Sequence, residues 1–356
     1  MEFGIQFFPD IGPDEKAAET YFAECLDLVE LCDPYGFTHV RTVEHYFESY
    51  GGYSPNPIVF LSACAQRSKK ARLITGAVLP VFNNPLKLAG EAAMLDAISD
   101  GRLELGFARA FLPHEFERFG VPIDESVERF DEGVEQIMNL LAEENVSSDG
   151  RFHSFRNVTS LPRPTQTPVP FWTAAISTPA SFEKAARLGH SVMAIPLAGG
   201  KMQELLGTYR EAWKSAGHPG SGRVMLAFHM FCDEDPHVAV SKARDPLNRY
   251  LRSLVNSAKA WIGGGPSTAA YPNYDKIIAM LDAETFESQV EKGAAWVGSP
   301  EQIVDTVRDY ARSIGGFDIA SLQVNFNTIG YDDAANSMRL FSEKVMPKVR
   351  DVAIPA

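Results

Sequence analysis

Eight short apolar runs recur along the chain, and they constrain its fold more than any other feature. They are "FGIQFF" (3–8), "HVRTV" (39–43), "RLITGAVL" (72–79), "LELGFA" (103–108), "VPFWTAA" (169–175), "SVMAIP" (191–196), "VMLAFHMF" (224–231) and "SLQVNFN" (321–327). Their hydrophobicity is nearly continuous and does not alternate, the pattern of strands covered on both faces. Amphipathic stretches lie between them. "DEKAAETYFAECLDLVELCDPYG" puts Ala18, Phe22, Leu26, Val29 and Cys32 on one helical face and stops at Pro34 and Gly36. "NNPLKLAGEAAMLDAISDG" starts on Asn-Pro and stops at Gly101, as capping chemistry prefers. "SVERFDEGVEQIMNLLAEE", "STPASFEKAARLG" and "SPEQIVDTVRDYARSIGG" follow the same logic. Strand and helix alternating eight times predict an α/β fold, a (β/α)8 TIM barrel. A doubly wound open sheet is less suited, because no G-x-G-x-x-G turn follows the first strand.

Two connections are too long to be simple joins, so the barrel is predicted to carry insertions after strands four and seven. Residues 144–168, "ENVSSDGRFHSFRNVTSLPRPTQTP", read as a hairpin-like insertion with a proline-rich exit. Residues 256–299 contain "WIGGGPSTAAYPNYDK" and read as a structure-poor lid or binding loop, or as a surface insertion without a role. One barrel domain over 1–356 accommodates the chain, whose 45% hydrophobic and 22% charged residues are ordinary globular usage. The net charge of −13 argues against a nucleic-acid partner, which needs clustered Lys and Arg. No run approaches a membrane span, and "MEFGIQFFPD" has no basic, secretory-type start. Cys25, Cys32, Cys64 and Cys232 are scattered without a C-x-x-C pair and read as reduced core residues, so a cytoplasmic location is expected.

The C-terminal ends of barrel strands face the active site. Glu44 and His45 end the second strand, Arg109 follows the fourth, and Thr173 to Ser177 end the fifth. Ser177, Thr178 and Ser181 gather at a helix start, where free N–H groups, the helix dipole and hydroxyl donors make an anion site. Arg109 and Arg129 can converge on the same anion. Plainer readings stand beside these: Ser-Thr-Pro is a routine cap, and Arg129 near Asp131 and Glu132 is a solvated salt bridge. His45 titrates nearest neutrality and suits a general base, with Glu44 either orienting it or offering acceptor oxygens to a ligand ring. Metal binding is not expected, since His39 and His45 have no matching carboxylate spacing and no H-E-x-x-H occurs. Neither a G-x-S-x-G elbow nor a Walker loop is present.

Taken together, "MEFGIQFF", "EHYFESYGGYSPNP", "TGAVLPVFNNPLKLAGEAAMLDAISDGRLELGFARAF", "FERFGVP", "WVGSPEQIVDTV" and "MRLFSEKVMPKV" resemble the bacterial luciferase-like, flavin-dependent monooxygenases over nearly the whole chain. The resemblance implies a barrel that binds reduced FMN as a cosubstrate. It also implies reaction with O2 through a flavin C4a-(hydro)peroxide and oxygenation of a small organic substrate: a carbonyl, an aromatic or a biosynthetic intermediate. A separate NAD(P)H:flavin reductase would supply the reduced flavin, and a homodimer is the usual assembly. By position, Arg109, Arg129, Thr178 and Ser181 match the phosphate ligands, with Ser177 beside them. His45 matches the catalytic histidine and Glu44 its neighbouring carboxylate. Thr75, Gly76 and Ala77 match the segment under the isoalloxazine ring, where relatives have a non-prolyl cis peptide. Ala108 stands where the luciferase α-subunit has a reactive cysteine, and Tyr46 where it has a second histidine, which speaks against light emission and a long-chain aldehyde. Residues 256–299 occupy the position of the family's mobile active-site loop, with Gly263, Gly264 and Gly265 as its hinge. Phe8, Phe111 and His114 are candidates for the substrate pocket. Two alternatives remain on the same barrel: an F420-dependent oxidoreductase and a flavin-binding protein without turnover.

Overall fold

The computed structural model describes residues 1–262 and 269–351. Its strands are β1 (Glu2–Phe7), β2 (His39–Thr42), β3 (Arg72–Thr75), β4 (Leu103–Phe107), β5 (Val146–Asp149), β6 (Ser154–Val158), β7 (Phe171–Ala175), β8 (Ser191–Ala194), β9 (Val224–Cys232), β10 (Ala295–Gly298) and β11 (Ile319–Gln323). Eight of them close a parallel barrel in the order β1-β2-β3-β4-β7-β8-β9-β11, with β11 pairing back onto β1. All eight coincide with the apolar runs of the sequence.

Strand parity decides what lines the interior. Phe3 and Phe7 of β1 point outward to Phe341 and Phe60, with ring centroids 5.3 Å and 5.5 Å apart. Gly4 and Gln6 therefore face inward. A side chain at Gly4 would collide with the ring of His39 on β2, so a larger residue does not fit there. The barrel's central plug is Ile74, Trp172, Met193, Met225 and Ile319. Beneath it, at the N-terminal ends of the strands, Glu104 accepts the indole N–H of Trp172 at 2.6 Å and pairs with Arg72 and with Arg223, the latter at 3.5 Å. Above the plug the inward positions hold Gln6, Arg41, Gly76, Gly106, Ala174, Ala227 and Ser321, most of them small.

Several details differ from the sequence expectations. The first helix, Ala18–Glu30, buries Tyr21, Cys25, Leu28 and Val29, while Phe22 and Leu26 are only partly covered. The chosen face was off by one position because apolar residues fill both flanks of that stripe. The 256–299 segment is not structure-poor. It holds the end of the long helix Pro236–Ala258, the helices Tyr274–Asp282 and Phe286–Glu291, and β10, which pairs with the C-terminal half of β9. These elements are short and bury little, Ile278 alone in one helix, so they leave almost no periodic signal. The proposed hinge at Gly263, Gly264 and Gly265 lies outside the described residues. The 144–168 segment contains the antiparallel pair β5 and β6. All four cysteines are free and buried, and no helix among the described residues is long and apolar enough to cross a membrane.

Candidate active site

At the end of β2 the chain turns through Glu44, His45 and Tyr46, and local hydrogen bonds fix that turn. Ser54 donates its hydroxyl to the carbonyl of Val43 at 2.6 Å, and the backbone N–H of His45 donates to the carbonyl of Ser54 at 3.1 Å. Gly51, at a φ of 82°, lies flat against the imidazole; a Cβ there would sit 2.6 Å from that of His45. The "YGGY" loop is thus built to receive the histidine.

The partner of His45 is Glu115, a residue the sequence reading did not single out. His45 Nδ1 lies 3.0 Å from Glu115 Oε1, which also accepts the backbone N–H of Tyr46 at 2.9 Å. Glu115 is fully buried, and its Oε2 has no hydrogen-bond partner among the described residues. A carboxylate at Nδ1 holds the proton on that nitrogen and leaves Nε2 as the ring atom available to a ligand. Phe8, Tyr50 and Phe111 enclose the ring, at centroid distances of 5.5, 5.4 and 6.1 Å. His114 sits farther out, with Nε2 3.3 Å from the carbonyl of Tyr46.

Glu44 does not orient His45. Its Oε2 accepts the backbone N–H of Leu79 at 2.9 Å, while Oε1 accepts Asn83 Nδ2 at 2.8 Å and the hydroxyl of Tyr46. Burial pushes its carboxyl up to about 7, against the pull of these three donors. Its structural effect is to anchor the segment after β3. That segment begins with a cis peptide between Gly76 and Ala77. Gly76 donates its N–H to the carbonyl of Thr42 at 2.7 Å, Val78 donates to Gly106 at 2.9 Å, and Ala108 donates to Val78 at 2.9 Å. The hydroxyl of Thr75 is engaged within the wall, donating to the carbonyl of Gly106 at 3.0 Å and accepting its N–H at 2.8 Å. Thr75 is fully buried, Gly76 and Ala77 are buried after it with Arg41 against Gly76, and Ala108 is half-buried.

Arg109 and Thr178 leave the C-terminal ends of β4 and β7, which are hydrogen-bonded neighbours. The Arg109 guanidinium carbon lies 4.1 Å from the centroid of the Tyr271 ring, and the hydroxyl of Tyr271 donates to the carbonyl of Ala110 at 2.8 Å. No carboxylate pairs with Arg109 among the described residues. The helix Pro179–Arg187 starts from Thr178, whose side chain makes no capping bond, so the first N–H groups keep no side-chain acceptor. Ser177 is half-buried and Thr178 exposed; Ser181 bonds back to the carbonyl of Thr178 at 2.9 Å through its N–H. Arg129 is engaged otherwise. It donates to Glu125 at 2.7 and 2.9 Å and stacks 4.2 Å from the ring of Phe152. Asp131 and Glu132, expected as its partners, instead hold Lys184 and the backbone of Phe152 and His153. The Asp131–Lys184 pair sets the helix carrying Arg129 (Ser126–Ala142) beside the helix that starts at Thr178.

The model of the luciferase-like monooxygenases matches residues 1–316. The chain belongs to that family. It is a flavin-dependent oxidoreductase of the luciferase-like type, on the barrel described above. It is similar to the monooxygenase RslO1 from Streptomyces bottropensis, with 42% identity and a TM-score of 0.86, covering 98% of this chain and 99% of that one. The oxygenase component of the flavin-dependent trigonelline monooxygenase of Acinetobacter baylyi is 28% identical over 98% of this chain and 95% of its own length. The fold is shared with the oxygenating constituent of 3,6-diketocamphane monooxygenase from Pseudomonas putida, a type II Baeyer–Villiger monooxygenase solved with FMN. There the TM-score is 0.81 at 20% identity, over 100% and 99% of the two chains. In this luciferase-like chain, a histidine held by a buried carboxylate and an arginine with no carboxylate partner among the described residues therefore follow strands of one barrel end, as does a helix start without a side-chain cap.

Proposed function

We propose that the chain is the oxygenase of a two-component system: it takes FMN reduced by a separate NAD(P)H:flavin reductase and uses O2 to oxygenate a small organic molecule. The observation that carries this reading is the Glu115–His45 pair, an oriented imidazole whose Nε2 has no hydrogen-bond partner among the described residues, at the strand ends that also bear Arg109 and Thr178.

The donor set fits a phosphomonoester tail. Arg109 carries a charge without a carboxylate partner among the described residues, and the start of Pro179–Arg187 adds backbone N–H groups and the positive end of its dipole. Thr178, Ser177 and Ser181 contribute hydroxyls at the same turn. Arg129, shared with Glu125, contributes less charge than Arg109. Gly76, Ala77 and Ala108 give a flat ring a surface without side-chain bulk. Bound reduced FMN supplies the electron pair that lets one oxygen atom of O2 enter the substrate while the other leaves as water. The chain's own work is positional and protonic. Glu44 holds Leu79, and through it the Gly76–Leu79 platform. Glu115 fixes the tautomer of His45, so that Nε2 can take a proton from the reacting partners and return it. The trigonelline and 3,6-diketocamphane relatives support an organic substrate of modest size.

The decisive test compares the wild-type chain with His45→Ala, both given FMN reduced chemically under anaerobic conditions and then air. FMN binding should be retained, while product formation should fall by about two to three orders of magnitude. Equal turnover would remove His45 from the chemistry. Absorbance of the ligand released on denaturation separates FMN from F420. Oxygen uptake without any product across candidate substrates would favour the flavin-binding alternative.

A further inference from the structure

We infer that Arg41 is the anion-recognising group of the substrate chamber, and that the substrate carries a carboxylate or an equally delocalised oxyanion there. The inference deepens the proposed function and rests on it.

Arg41 lies on β2 and faces into the barrel, one layer above the plug of Ile74, Trp172 and Met193. Its Nη2 donates to the carbonyl of Gly76 at 2.7 Å and its Nη1 to Oε1 of Gln6. Nε is buried with no partner. Both acceptors are neutral, and no carboxylate lies within ion-pair reach among the described residues. Gly76 makes the arrangement possible, since any Cβ at that position would overlap Arg41 Nε. Desolvation lowers the guanidinium to about 10, so it stays charged at neutral pH. A charge removed from bulk water without a counter-charge is costly, and structural arginines avoid that state by pairing.

The space around it accepts a ligand. Ala174, Ala227, His229 and Arg41 all occupy inward positions and all keep accessible surface, which they can have only if the barrel is hollow at that level. Ser321 Oγ and His229 Nε2 are buried at the same level without partners among the described residues, and burial drops His229 to about 3, keeping it neutral. The ring of Tyr250 is 4.5 Å from that of His229, its hydroxyl is 3.5 Å from that of Tyr50, and the ring of Tyr50 is 5.4 Å from His45. A continuous wall thus runs from His229 to the imidazole, and its Tyr250 and Tyr50 are close enough to Arg41 to act on its charge. The nearby acids are turned elsewhere: Glu44 to Leu79 and Asn83, Glu115 to His45 and Tyr46, Asp10 to Asn327. A planar carboxylate matches the remaining N–H edge of the guanidinium. Anchored there, it would direct the rest of the molecule up toward His45.

The test uses FMN-loaded and FMN-free full-length chain with benzoate, phenylacetate and their primary amides as probes, read by calorimetry. Wild type should prefer each acid over its amide by about tenfold or more, the worth of a charge-assisted bond. Arg41→Gln should abolish the preference, and Arg41→Lys, which keeps the charge but not the fork, should retain part of it; circular dichroism checks that both fold. Absence of any acid preference in wild type overturns the inference, as does a preference that survives Arg41→Gln. So does loss of reduced-FMN affinity in Arg41→Gln with the acid preference unchanged, which would assign the charge to the flavin. Failure of wild type to bind FMN counts against the proposed function alone, because the acid preference is also read without FMN.

Discussion

Two sets of arginines occupy the barrel, one at each end, and they are treated oppositely. At the floor, Arg72 and Arg223 share the buried carboxylate of Glu104, which also accepts the Trp172 indole. Arg223 also pairs with Glu2 at 3.0 Å, so two carboxylates balance the two guanidiniums within the protein. At the mouth, Arg41 is given a carbonyl and an amide oxygen, and Arg109 an aromatic ring, none of them anionic. The same residue type is neutralised at the floor and has no carboxylate partner among the described residues at the mouth, where binding is proposed. The acids follow the same division. Glu104 spends itself on cations, while Glu44 and Glu115 hold backbone N–H groups, a phenol and an imidazole.

Substitution at each end should separate the two roles. Glu104→Ala takes the buried carboxylate from both guanidiniums, leaving Arg72 with Gln166 and the Leu103 carbonyl and Arg223 with Glu2, and strands the Trp172 indole N–H; it should cost about 2–4 kcal/mol of stability, less than a wholly buried pair because both arginines are about a third exposed. FMN affinity of the folded fraction should not change; urea unfolding with and without FMN checks both. An affinity loss here would break the division. Arg109→Ala should do the reverse, weakening FMN binding by about 10- to 100-fold while moving stability by no more than about 1 kcal/mol. Equilibrium fluorescence quenching of FMN measures the first and thermal unfolding the second. The smallest expected effect concerns protons at the mouth. Glu44 binds its proton more tightly in the folded state, at about 7 against an ordinary 4.5. Its contribution to stability is therefore full below the unfolded value and is lost as pH rises through about 7. Relative to Glu44→Gln, the wild type should lose about 1–3 kcal/mol between about pH 5 and about pH 7.5. Parallel urea midpoints for the two proteins across that range would refute it.

The barrel was legible because each of its eight strands is buried on both faces, and such strands cannot be written without a continuous apolar run. β10 has four residues and lies outside the ring of eight, so "AWVG" carried no comparable mark. In the site, Glu44, His45, Arg109 and the Thr178 helix start could be found because each follows an apolar run directly. Glu115 could not. It stands in the first turn of the short helix Pro113–Phe119, where an acid is an ordinary complement to the helix dipole, and its partner is 70 residues away. Arg41 was hidden for the opposite reason: inside "HVRTV" it reads as a polar interruption of a strand, and only the parity of a closed barrel turns it inward. Arg129 was placed on the correct helix, but its carboxylate proved to be Glu125, one turn earlier on the same face, and not its sequence neighbours.

For the proposed role of Arg109 as an anion ligand, its contact with Tyr271 bears on how fast and how selectively that anion would be taken up. A guanidinium is a flat plate with a busy rim and idle faces. With an aromatic ring resting on one face and that ring's hydroxyl tied to the Ala110 carbonyl, the plate is already still before anything arrives. A newcomer meets it edge-on, in one plane, and oxygens splayed to match that edge are favoured over a compact halide of equal charge.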